Sequence, residues 1–195
     1  MQADWSVECG AGDPVVVLPW QSEDGLLRFV DLRAAPAAVE EISEARRYPC
    51  LATALRRWNA LGSPIFTAKC DVWNYSADLF DADDLPGFAF AQGSYTDILS
   101  ANAARARSFS ECEAQLRRWT SAAQCLGPSA ARCEFTLRSA LIFPDATGDE
   151  APSPEGGFAT TLYVWGYGPT ADSAASAWAC AIEALIEPIL LGSTL

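Results

Sequence analysis

The tetrapeptide Leu55-Arg56-Arg57-Trp58 returns unchanged as Leu116-Arg117-Arg118-Trp119, and each copy is followed by a Gly/Ser/Pro break and then a β-rich run. Self-similarity of this kind constrains architecture before it says anything about function. Around each copy the leucine and tryptophan fall on one apolar helical face, through Leu51, Leu55 and Trp58 in the first and Cys112, Leu116 and Trp119 in the second, with the arginine pair beside it. Helix, break, strand and hairpin follow in the same order both times. The chain therefore reads as a single domain, 1–195, with an internal repeat over approximately 50–95 and 112–167.

The rest of the pattern fits an α+β fold. Val15–Trp20 and Leu26–Arg33 flank the turn Ser22-Glu23-Asp24-Gly25 and predict a first hairpin. Ala37–Ala45 reads as helix, and Pro49 opens a second one. Ile65–Tyr75 and Gly87–Tyr95 predict the next hairpin. Ser108 with Glu111 resembles a capping box ahead of the second repeated helix. Cys133–Phe143 alternates apolar and polar residues with the period of a half-buried strand, pairing with Phe158–Gly168. A last helix starts near Thr170. The expected architecture is a two-layer sandwich, an antiparallel sheet with helices on one face, built from repeated ββα units with a ferredoxin-like β-α-β-β-α-β inner core between Leu26 and Phe143.

Composition removes several chemistries. There is no histidine, so Ser-His-Asp and Cys-His catalysis and imidazole-ligated metals are excluded. Seven cysteines are an odd number, none in a C-x-x-C pair, which argues for buried thiols over structural zinc or a catalytic thiolate. The acidic hairpin connections (Glu23-Asp24; Asp78, Asp81, Asp83 and Asp84; Asp145, Asp149, Glu150 and Glu155) lack the pattern of a calcium loop and read as solvated turns. No metal and no cofactor is expected. A net charge of −12 repels nucleic acid and anionic membranes, so neither is expected as a partner. Met1–Trp5 shows no cationic region before an apolar one, and the apolar stretch near the C-terminus is broken by Glu183, Glu187 and Pro188. The expected setting is cytoplasmic.

What remains are binding surfaces. Trp20, Trp73 and Trp165 lie in predicted strands with Tyr75, Tyr163 and Tyr167, an aromatic set suited to planar ligands or protein partners. Trp58, Trp119 and Trp178 belong to helix faces and to the core. Lys69, the one lysine of the chain, shares a strand face with Asp71, the arrangement a desolvated amine would need to act as base or nucleophile. Arg56, Arg57, Arg117 and Arg118 offer guanidinium groups to a carboxylate, a phosphate or an acidic subunit face. The reading that follows is a non-catalytic binding protein for a protein partner or small ligand, with a homo-oligomer allowed. The alternative is a small enzyme using carboxylates or Lys69 in place of histidine.

Overall fold

The alternation over residues 133–143 is realised in β5 (Ala131–Ile142), whose Cys133, Phe135 and Leu137 are fully buried on one side. In this computed structural model residues 1–76, 88–127, 129–143 and 153–193 are described. The remaining elements are β1 (Gln2–Glu8), β2 (Val16–Leu18), a 3₁₀ turn at Pro36–Glu41, α1 (Ser43–Arg47), α2 (Pro49–Trp58), β3 (Ile65–Ser76), β4 (Phe90–Ser100), α3 (Ala103–Ala106), α4 (Phe109–Gln124), β6 (Glu155–Gly168) and α5 (Ala171–Gly192). They form a mixed α+β structure, an open six-stranded sheet with helices packed on it.

Strand order runs β1-β5-β6-β4-β3, and β2 also pairs with β5. The β3/β4, β4/β6 and β5/β6 pairs are antiparallel. β1 and β2 lie end to end along the outer side of β5, both parallel to it. The sheet is thus mixed and not purely antiparallel. Two further expectations change. Gln2–Glu8 is a strand that no apolar alternation announced, and Leu26–Arg33 is not one, since its only ladder contact is an isolated bridge from Arg28 to Gln21. The first hairpin and the β-α-β-β-α-β order counted from Leu26 are therefore not formed by those segments. Leu26 and Leu27 lie exposed, with no neighbouring strand among the described residues to reward pairing.

The helical layer follows from the repeated tetrapeptide and the last helix. Leu55, Trp58, Leu116 and Trp119 are all buried, and with Trp178, Ile182, Leu185 and Ile189 of α5 they cover Phe135, Leu137, Leu162 and Val164 of the sheet. Pro49 occupies the first turn of α2, where its missing N–H costs nothing. Ser108 caps α4 by accepting from the Glu111 N–H, but the Glu111 carboxylate turns to Arg105 and the box stays half closed. Thr170 and Ser173 close a full box on α5. Pro188 lies inside α5 without ending it. By length and hydropathy α5 is the one described helix able to cross a membrane; here its apolar face is packed into the core.

A second, smaller cluster lies on the opposite side of the sheet, where Val16 and Leu18 meet Phe66, Leu99, Ala140 and Ala159. It covers one end of that face only. The site described next begins where it stops.

Candidate ligand-binding site

Cross-strand register aligns the side chains of the helix-free face into rows. One row reads Ser6, Thr136, Thr161, Asp97, Lys69. The next reads Asp4, Glu134, Tyr163, Tyr95, Asp71, and the third Gln2, Arg132, Trp165, Gly93, Trp73. A bulge between Thr67 and Lys69 places β3 in this register. The extra residue of a bulge is left out of the ladder, and the Ala68 carbonyl accepts a 2.8 Å hydrogen bond from the Trp20 indole. That bond pins the chain preceding α1 across the sheet.

Beyond Trp20 the backbone doubles back on itself. Phe29 N–H donates to the Trp20 carbonyl and Ser22 N–H to the Leu27 carbonyl, both at 2.8 Å, around Gly25 at φ +71. A side chain at that angle would be strained, so glycine is required at the turn. The result is a short flap whose tip carries Leu26 and Leu27, 81% and 60% exposed. Between flap and sheet lies a cleft of about 1010 Å³. Trp20, Lys69, Tyr95, Asp97, Arg138 and Tyr163 face it, and Leu26 and Leu27 overhang it.

Three groups set its electrostatics. Asp97 is 7% exposed; burial pushes its carboxyl above the ordinary 3.8, opposed by a 2.6 Å hydrogen bond donated by the Thr161 hydroxyl and by the charges of Lys69 and Arg138. Arg138 is 8% exposed, and its Nη2 bonds Glu8 at 2.8 Å and the Tyr163 hydroxyl at 3.2 Å. Its Nη1 is buried with no hydrogen-bond partner among the described residues. Lys69 Nζ lies 4.9 Å from the Trp20 ring centre and 5.9 Å from that of Tyr95, over aromatic faces that attract cations. Burial and then the neighbouring Asp97 charge raise the Tyr95 phenol, which stays neutral at pH 7. Together these offer hydrogen-bond donors and aromatic faces. No thiolate joins them, because burial pushes Cys70 up to about 12.

No protein-family model matches this chain, and no significant match appears among curated proteins or solved structures. The site is therefore interpreted from its own geometry.

Of the sequence-predicted residues, Trp20, Tyr163, Lys69 and Asp71 all line the cleft. Lys69 and Asp71 are exposed at its mouth and form no ion pair with each other among the described residues. Trp73 and Trp165 stand one row along, on the same face but outside the cleft. Trp165 stacks on Tyr163 with ring centres 5.6 Å apart, and Trp73 meets Tyr95 at 6.0 Å. The helix arginines lie elsewhere and are already occupied. Arg56 pairs with Glu40, Arg57 with Glu187 and Arg117 with Glu113, while Arg118 donates to the Gly192 carbonyl at 3.0 Å. Arg117 also covers the Trp5 ring at 4.2 Å. The acidic residues 78, 81, 83, 84, 145, 149 and 150 fall outside the described residues.

The sequence reading missed Tyr95, Asp97 and Arg138. The last two carry a faint signal. Asp97 is a lone carboxylate in the run Ser94–Leu99, and Arg138 is a polar position of the alternating strand, held against the sheet by Glu8 of β1 and Tyr163 of β6.

Proposed function

We propose that this chain is a binding protein, non-catalytic in its main role, that holds a small ligand with an aromatic or apolar body between the flap and the helix-free face of the sheet. The observation that carries this reading is the convergence of Trp20, Tyr95 and Tyr163 with buried Asp97 and Arg138 in one cleft. A few polar groups placed among aromatic walls are what orient a small molecule in a pocket. The flap, held by its own turn and one indole hydrogen bond, supplies a wall that can open. The helix arginines are a weaker basis for a binding face, since each is engaged within the molecule.

The test is a fragment screen read by backbone and indole NMR resonances. Hits are expected to move the Trp20 indole together with amides of residues 67–71, 95–97 and 161–163. Hits that cluster on the helical layer, or none on the cleft, would overturn the reading.

One observation favours a catalytic alternative. Asp97 is a carboxyl raised by burial beside a lysine, the kind of group that serves as an acid or base. We also read the order α2-β3-β4 and α4-β5-β6 as descending from a duplicated helix-hairpin unit. Its support is the equivalent burial of Leu55 with Trp58 and of Leu116 with Trp119.

A further inference from the structure

Arg138 is over-equipped for the contacts it makes. Its ion pair with Glu8 and its bond to Tyr163 both use Nη2, and they would hold the side chain in place without the rest of the fork. Nη1 is nevertheless buried, carries two N–H donors and has no partner among the described residues. A buried donor left unmatched costs stability, and more when it belongs to a charged group. Arg138 lines the cleft, and Nη1 itself is closed to water in the free protein, so an acceptor reaches it from that side as the neighbouring side chains give way.

We propose, resting on the cleft-binding reading above, that the ligand is an aryl or similarly apolar monocarboxylate whose carboxylate is received by Arg138 Nη1. The rest of the cleft fixes the class. Five carboxylates, Glu8 on Arg138 with Asp97, Asp71, Glu41 and Glu44, stand against three cations, Arg28, Lys69 and Arg138, and this slightly negative balance suits a single carboxylate better than a doubly charged phosphate. Guanidinium is also the group whose planar N–H donors match a carboxylate. From β5 to β3 is three strand spacings, about 14 Å. The ligand body crosses that distance over Tyr163 and Tyr95 toward Trp20, with Lys69 at the far end. The Thr161 hydroxyl is not available to the carboxylate, because its proton is given to Asp97.

The test uses matched probes, phenylacetate and 2-naphthylacetate with their primary amides, titrated into the full chain and followed by NMR. The acids are expected to bind at least about tenfold more tightly than their amides, the scale of one charge-assisted hydrogen bond. That preference should vanish in Arg138→Gln. Because the single variant strands Glu8 and could unfold, Arg138→Gln with Glu8→Gln is measured beside it, with Arg56→Ala as the control that keeps the preference. Equal affinity for acid and amide, or a preference that survives the double variant, would overturn the inference while leaving cleft binding intact. If neither acids nor amides move any cleft resonance, both readings fail.

Discussion

The two faces of this sheet are made by the same strands and obey different rules. On the helical side Phe135, Leu137, Leu162 and Val164 meet Trp58, Leu116 and Trp178, each no more than 1% exposed. On the other side the residues next along those strands are Thr136, Arg138, Thr161 and Tyr163, and the first three are nearly as well buried. Burial of the first set releases apolar surface and stabilises the fold. Burial of Asp97 and Arg138 works against it, since a charge leaves water with incomplete compensation. A fold keeps such an arrangement where the polar face is used.

Two glycines probe that difference most sharply. A Cβ on Gly166, on the helical side, would stand 2.1 Å from the Trp178 backbone nitrogen and 2.5 Å from the Ala174 carbonyl oxygen. Those atoms belong to α5 and move only with the helix. Gly166→Ala is expected to cost about 3 kcal/mol, the upper end for overpacking, and to lower Tm by roughly 10 °C. A Cβ on Gly93, on the other side, meets the Trp73 indole at 2.5 Å and the Trp165 indole at 3.1 Å, side chains and not backbone. Gly93→Ala should stay within about 1 kcal/mol, helped by the lower entropy of an alanine strand, while shifting tryptophan emission. Thermal melts of both variants check the order; a larger loss at Gly93 would break the contrast between a rigid helical face and an adaptable open one.

Asp97 gives the next effect, and its sign is opposite. Its carboxyl is raised above 3.8 in the folded protein, first by burial, so between 3.8 and the raised value the folded state holds more protons than the unfolded one. The contribution of Asp97 to stability is then fully present below pH 3.8 and is lost as pH rises through the folded value. Asp97→Asn keeps an acceptor for the Thr161 hydroxyl and removes the charge. It should therefore raise Tm at neutral pH, with the gain shrinking as pH falls toward 3.8. Melts of both proteins across pH 3–8 read the slope. A variant less stable than the parent at pH 7 would mean that the ionised carboxylate is held by more than burial allows.

The helical face was legible in the sequence and the open face only in part, for a physical reason. Apolar spacing of three and four placed Leu55, Trp58, Leu116 and Trp119 correctly because a helix face is a local property. Period-two alternation likewise placed Lys69 and Asp71 together and Cys70 opposite. It could not show that Arg138, a residue of a nominally wet face, is buried, because its ion-pair partner Glu8 comes from β1, more than a hundred residues earlier. The strand Gln2–Glu8 was hidden for a related reason. An edge strand pairing in parallel needs only backbone complementarity with β5, and its Asp4, Ser6 and Glu8 carry no apolar signature. Leu26–Arg33 misled in the other direction, since β-prone residues without a neighbouring strand form a flap.

The smallest expected effect falls on the residues that first drew attention. If the repeated arginines formed a prepared binding face, they would be held free of partners; instead Arg56 and Arg57 are 48% and 54% exposed and paired with Glu40 and Glu187. Exposed pairs of this kind contribute about 0.5 kcal/mol or less, because water screens them and two long side chains must be ordered. Arg56→Ala and Arg57→Ala should each shift Tm by no more than about 2 °C and leave ligand binding in the cleft unchanged. Arg117→Ala should cost somewhat more, as it also uncovers Trp5. Any loss of cleft binding in the first two variants would tie the helical layer to the site and dissolve the division of labour between the faces. Its absence would leave the arginines as solvent-facing companions of the leucine and tryptophan that build the core.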